Sequence, residues 1–246
     1  APRKPAAQLP VARVVLDVQA THLGQPFDYF VDDSMSEAAQ PGVLVRVRFG
    51  GQRVSGIIWE RVNDSDTPTN AIRYIEKVVS PRVLVPSQMR RDITAVANAY
   101  GGTIANVLRV AMPGRVAGVE KEPNATMQSA SDVESAADEA SYADSPMVDR
   151  RGRFASRAED HFPVIAAMGA GKSAVLVMPG MREVWSMVHA LENMGLHVFA
   201  PNARQIYEGD IAVLSAALSP ADRYRAYLAI GEGRVTCVVG TRAAMY

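Results

Sequence analysis

Two short segments of this chain carry side chains suited to chemistry. Pro26-Phe27-Asp28-Tyr29 sets a carboxylate between two aromatic rings. An ionised carboxylate only accepts hydrogen bonds, while an aromatic ring offers a face for stacking. Taken alone, the same residues also fit a strand that alternates between core and solvent, with Asp28 exposed. Gly169-Ala170-Gly171-Lys172-Ser173 looks like the end of a phosphate-binding loop. That pattern needs a glycine at position 166, where this chain has Ala166. The loop must also open a helix whose N-terminal amides hold phosphates. Here Ser173 runs straight into Ala174-Val-Leu-Val-Met178-Pro179-Gly180, which reads as a strand. Gly171, Lys172 and Ser173 are therefore weak nucleotide-binding candidates, and Lys172 reads as a solvated turn residue. His22, His161, His189 and His197 lack metal-ligand spacing. Cys237, the one cysteine, excludes an internal disulfide and a cysteine-built zinc site within these residues, and reads as a small buried hydrophobe. No catalytic residue and no metal site emerges.

The elements that position these residues fall into three parts. Residues 11–84 read as short strands with turns between them. In Val43–Phe49, Val43, Val45, Val47 and Phe49 face one side, and Leu44, Arg46 and Arg48 the other. Gly50-Gly51 then signals a hairpin, and a continuous run over 72–79 closes the set. Such strands predict a small twisted sheet or barrel. Helices follow over 87–100, stopped by Gly101-Gly102, and over 103–111, stopped by Pro113-Gly114. Residues 118–160 are rich in Ser, Ala, Asp and Glu without apolar periodicity, and read as a disordered acidic linker. The remainder alternates strands (174–178, 197–200, 211–214, 235–239) with helices over 182–194 and 220–230, the signature of a parallel sheet. In the first of these helices Val184, Trp185, Val188 and Leu191 share a face.

The 246 residues carry no net charge, but the charge is unevenly spread. Residues 1–118 hold 14 Lys/Arg against 10 Asp/Glu, a net of +4, and residues 119–160 hold 5 against 10. A mildly basic first block permits nucleic-acid binding without establishing it. No stretch approaches the roughly 18 apolar residues a spanning helix needs. With no signal-length apolar run behind the basic N-terminus either, a cytosolic, soluble protein is the plain reading, and a chain that opens without methionine and stops after a strand-like run reads as a fragment or a processed form.

Three segments resemble the primosomal protein N′ (PriA) family of replication-restart helicases, especially its degenerate actinobacterial form. Phe27-Asp28-Tyr29 followed by Val45-Arg46-Val47-Arg48-Phe49-Gly50 is similar to that family's signature for binding DNA 3′ ends. Ala99-Tyr100-Gly101-Gly102-Thr103, with Ala105–Arg109 and Met112-Pro113, is similar to the segment closing that domain. Val239-Gly240-Thr241-Arg242-Ala243-Ala244 resembles a stretch of the first helicase lobe. The resemblance implies a β-rich 3′-end-binding domain with C-terminal helices over 11–117, after a tail over 1–10 and before the linker over 118–160, which matches nothing in the family. A truncated, RecA-like α/β helicase lobe would then fill 161–246. It also implies a pocket for a terminal nucleotide formed by Phe27, Asp28, Tyr29, Gly50 and Arg73. Asp28 would accept from the 3′-hydroxyl, Phe27 or Tyr29 would stack on the base, and Gly50 would let backbone approach the sugar. Arg46, Arg48, Arg53 and Arg73 would meet phosphates.

The function expected is recognition of DNA 3′ ends and forked or single-stranded DNA in replication restart, together with other primosome and replication proteins and without ATP hydrolysis. The alternatives are an active 3′→5′ helicase with Lys172 on the phosphates, and a protein-interaction module that touches no DNA. ATP and zinc are implied for complete active members of the family, not for these residues.

Overall fold

The computed structural model describes residues 3–18, 25–122, 168 and 171–244. Contacts divide these into two units that meet in sequence at Met112 and Pro113.

The first unit is built on six strands: β1 (Val11–Leu16), β2 (Phe27–Phe30), β3 (Val43–Phe49), β4 (Gln52–Val62), β5 (Arg73–Tyr74) and β6 (Lys77–Val83). They pair in the order β5-β2-β1-β4-β3-β6. The two edge strands are thus joined by only Ile75 and Glu76, so the sheet must curl until its edges meet. At the seam the Ile75 amide donates to the Phe30 carbonyl (2.9 Å) and the Glu76 amide to the Arg46 carbonyl (2.9 Å). The curl brings the two edges together at this step, while the part of β2 beyond β5 keeps an unpaired edge. The run over 72–79, expected as one strand, is therefore two strands on opposite edges.

Alternation fills the interior. Ala12, Val14, Leu16, Tyr29, Val31, Val43, Val45, Val47, Ile58 and Ile75 form one buried cluster. Each apolar side chain of this size contributes about 1.5–3 kcal/mol on burial. Ala6 joins the cluster, and its amide donates to the Val31 carbonyl (2.9 Å). The expected N-terminal tail is thus packed from at least this point. The expected Gly50-Gly51 hairpin joins β3 to β4, with φ of +57° and +83° at its two glycines. Positive φ at both central positions is the twist that suits a two-residue turn.

Gly42 precedes β3 with φ of +87°, and a Cβ there would lie 2.3 Å from the Val85 carbonyl oxygen. Gly42→Ala should therefore destabilise this unit by about 1–3 kcal/mol from backbone strain alone, plus the steric overlap. A melting temperature within a degree of the natural chain's would contradict this packing.

Two helices, α1 (Ser87–Tyr100) and α2 (Ile104–Ala111), belong to the same unit. Gly101 caps α1 in the left-handed region, and the Thr103 side chain caps α2 by accepting from the Asn106 amide. Opposite Arg13 and Val14 the register of β4 slips by one, leaving Trp59 as the extra residue of a bulge. Its indole donates to Thr94 of α1 (3.3 Å), and Arg109 of α2 pairs with Asp17 at the end of β1 (3.3 Å).

The second unit has a parallel three-stranded sheet in the order β10-β11-β7. Its elements are β7 (Ala174–Val177), α3 (Met181–Glu192), β10 (Ile211–Leu214), α4 (Pro220–Gly231) and β11 (Cys237–Gly240). Ser219 caps α4, with Pro220 at its first turn. The strand expected over 197–200 shrinks to a single bridge from Val198 to Ile211, and Ala200–Pro201 (β8) pairs instead with Tyr207–Glu208 (β9). On α3, Val184, Met187, Val188 and Leu191 are buried, while Trp185, expected on that face, is 42% exposed.

Composition alone starts the acidic linker at Gly118. Residues 118–122 are instead folded against α4. Val119 is buried, Glu120 pairs with Arg115 (2.5 Å) and accepts from the Tyr224 hydroxyl (2.6 Å), and Glu122 pairs with Arg225 (2.6 Å). Two carboxylates with the look of linker composition are thus fixed ion-pair partners. The rest of the expected linker lies outside the described residues. No helix among the described residues is long and apolar enough to cross a membrane.

Candidate nucleic-acid interface

The candidate residues gather where β5 stops. β5 pairs with β2 only through Tyr29–Arg73 and Phe30–Tyr74. Phe27 and Asp28 therefore have a ladder partner on the β1 side alone. Strand alternation sends neighbours along this stretch to opposite faces. Phe27 and Tyr29 point inward and Asp28 outward, so the trio is not one continuous surface.

Phe27 is half-buried at the barrel's mouth, with its ring centroid 4.7 Å from that of Phe49. Beside it lies a narrow cleft lined by Leu16, Pro26, Phe27, Ile104 and Ala105, with about 10 Å³ of free space. That is room for roughly one water, so a base would have to stack on the open side of Phe27 and not in the cleft. Tyr29 is 4% exposed, and its hydroxyl donates to the Arg48 carbonyl (3.0 Å). Burial pushes its phenol up to about 12, with Arg73 nearby opposing the shift slightly. Tyr29 is a core residue that ties β2 to β3, and the expectation that it stacks on a base is corrected: its ring is enclosed.

Asp28 lies in an outward-facing row across β2, β1 and β4, with Arg13 and Glu60 as the registered neighbours. Its side chain is 13% exposed. One carboxylate oxygen accepts from the Ser65 hydroxyl, and the other stands 3.8 Å from the Arg13 guanidinium. Arg13 is engaged more closely by Glu60 (2.6 Å). Asp28 thus already holds one hydroxyl and keeps unused acceptor capacity, since a carboxylate offers about four lone-pair sites. Arg73 is exposed at the point where the β5 ladder ends. At Gly50 an added Cβ would meet nothing within 4 Å, so the turn's conformation accounts for this glycine. The expected role in backbone approach has no crowding in the chain itself to support it.

The expected phosphate contacts also divide. Arg48 and Arg53 stand directly opposite each other across β3 and β4, and both grip the Glu76 carboxylate (2.7 and 2.9 Å). The Arg48 hydrogen bond is the main cause that lowers the Glu76 carboxyl below its usual range. Arg46 is half-buried and has no such partner among the described residues. Ser65, Glu76 and Phe49 escape sequence reasoning, because only the fold brings them beside residues 37, 28 and 22 positions away.

In the second unit Gly171 adopts a φ of +75°, and Gly171-Lys172-Ser173 leads directly into β7. No helix follows this turn among the described residues to present amides to a phosphate. Among the described residues no group of three or more His, Cys, Asp and Glu is arranged to hold a metal ion. Magnesium-ATP is expected to leave the melting temperature unchanged, in the natural chain and in Lys172→Ala alike. An ATP-dependent rise in melting temperature that Lys172→Ala abolishes would contradict this assignment.

Comparison with known proteins bears on the first unit most directly. Residues 13–113 match the family described as the 3′DNA-binding domain (3′BD) of PriA, which defines the class of this barrel. The chain is 34% identical over 248 residues to "Probable replication restart protein PriA" of Mycobacterium tuberculosis (strain ATCC 25618 / H37Rv). It is 31% identical over 249 residues to the protein of the same name from Mycobacterium leprae (strain TN). Both alignments take in 92% of this chain, and they cover 35% and 36% of those relatives. The chain belongs to the PriA replication restart protein family and spans about a third of the length of these curated relatives.

Proposed function

We propose that this chain binds the 3′ end of a DNA strand at the stretch of β2 that β5 leaves unpaired, and so recognises forked or single-stranded DNA in replication restart. In this reading Phe27 stacks on the terminal base, and Arg73 meets the adjoining phosphate. Asp28 accepts from the 3′-hydroxyl, in exchange for or alongside Ser65. A carboxylate that already binds an internal hydroxyl is chemically suited to bind another. A 3′-phosphate carries negative charge and lone pairs there, so Asp28 repels it. The observation that carries the reading is the convergence of Phe27, Asp28 and Arg73 on one short strand segment, inside the residues that match a 3′-DNA-binding family. Other primosome and replication proteins are the partners this role implies. The role needs no ATP hydrolysis at Gly171–Ser173.

The test is fluorescence anisotropy with forked DNA ending in a 3′-hydroxyl or a 3′-phosphate. The hydroxyl end should bind more tightly, and Asp28→Ala should remove the preference. Equal binding of both ends by the natural chain would refute the end-recognition reading.

A further inference from the structure

The strand register places Arg46 of β3 directly opposite Lys77 of β6. Like charges facing each other across strands destabilise a sheet. Among the described residues neither side chain forms an ion pair or a side-chain hydrogen bond, and the acid next to Lys77 in sequence is already committed. Glu76, adjacent to Lys77, has its carboxylate held by Arg48 and Arg53. Two rungs of paired cations therefore lie along the outer face of β3. Lys77 and Arg46 form one, and Arg48 and Arg53 form the next towards the hairpin. One carboxylate, Glu76, serves the Arg48–Arg53 rung, and none serves the other.

The rungs are two residues apart, about 7 Å along the strand. This is close to the distance between successive phosphates on an extended nucleic-acid strand. Lys77 also follows Arg73 by four residues, on the same stretch of chain that crosses from one sheet edge to the other.

We infer that the Arg46–Lys77 rung is a binding subsite for the phosphodiester backbone of the bound strand. Arg48 and Arg53 serve mainly to hold Glu76, which limits what they contribute. The uncompensated pair is a cost to the free fold that a phosphate relieves. This inference rests on the proposed DNA-binding reading and adds Lys77, a residue that reading does not use.

The experiment measures the affinity of the whole chain for a 3′-hydroxyl oligothymidylate between 50 and 200 mM salt. For a single strand, each phosphate that a side chain no longer neutralises lowers the slope of log K against log salt by about 0.7. Arg46→Ala and Lys77→Ala should each lower it by about that amount. Arg48→Ala should lower it less, and Glu76→Gln should steepen it by freeing two guanidinium groups. Lys77→Glu keeps the test sound against misfolding, because it faces Arg46 with an opposite charge. It should melt at or above the temperature of the natural chain while binding more weakly. Slopes unchanged in both Arg46→Ala and Lys77→Ala, with the natural chain still binding, would overturn this inference alone. A lower melting temperature for Lys77→Glu would overturn the claim of repulsion. Failure of the natural chain to bind DNA at all would overturn the underlying reading as well.

Discussion

Replacing Tyr29 with alanine is expected to destabilise the barrel by about 3–5 kcal/mol, the range for emptying an aromatic-sized volume in a packed core. Tyr29→Phe should cost about 1 kcal/mol, because it removes only the hydrogen bond to the Arg48 carbonyl. The two tryptophans allow the units to be followed separately. Trp59 lies in the barrel and Trp185 on α3, so a Trp185→Phe background reports the first unit. The same background gives a pH test. Tyr29 has a folded pKa of about 12 against an ordinary value of 10.0. The neutral phenol is thus favoured by folding, and its contribution is complete below about pH 10. It should be lost as pH rises from 10 towards 12. Tyr29→Phe should flatten that part of the curve. If Tyr29→Ala left the barrel's melting unchanged and abolished only DNA binding, Tyr29 would be a contact residue and its placement here would be wrong.

The second large effect is expected at Phe27. Phe27→Leu keeps an apolar side chain against Phe49 but removes the aromatic face. Stacking on one base is worth about 1–3 kcal/mol, so end binding should weaken roughly 5- to 150-fold. The Trp59-reported melting temperature should move little, since exchanges between apolar residues of similar size are tolerated. A large loss of stability with affinity preserved would identify Phe27 as core only.

Much of the barrel was legible because alternation and turn chemistry are local. The facing of Val43, Val45, Val47 and Phe49 against Leu44, Arg46 and Arg48, the Gly50-Gly51 hairpin, and the helix ends at Gly101 and Ser219 each follow from a few adjacent residues, whereas Thr103, read as the first residue of its helix, is the residue that caps it. What escaped is what closure decides. The run over 72–79 reads as one strand, yet the chain steps between two sheet edges at Ile75 and Glu76, and Ile75 and Val78, three residues apart, both face the core. Closure also brings Glu76 to Arg48 and Arg53. Composition misleads at residues 118–122, because Glu120 and Glu122 look solvated until Tyr224 and Arg225 are placed beside them. The candidate trio shows both outcomes. Its alternation points to Tyr29 and Asp28 facing opposite ways, while the family signature suggests a single group. The structure follows the alternation, and the proposed reading relies on the edge left open by β5 for Phe27 and Asp28 to meet one ligand.

The most direct measurement places 2-aminopurine at the 3′-terminal nucleotide of a forked DNA and, in a second substrate, several nucleotides inward. Stacking on Phe27 should quench the terminal probe and leave the internal one nearly unchanged, and Phe27→Leu should restore the terminal signal. Equal quenching at both positions, or terminal quenching that survives Phe27→Leu, would contradict docking of the strand's end at β2.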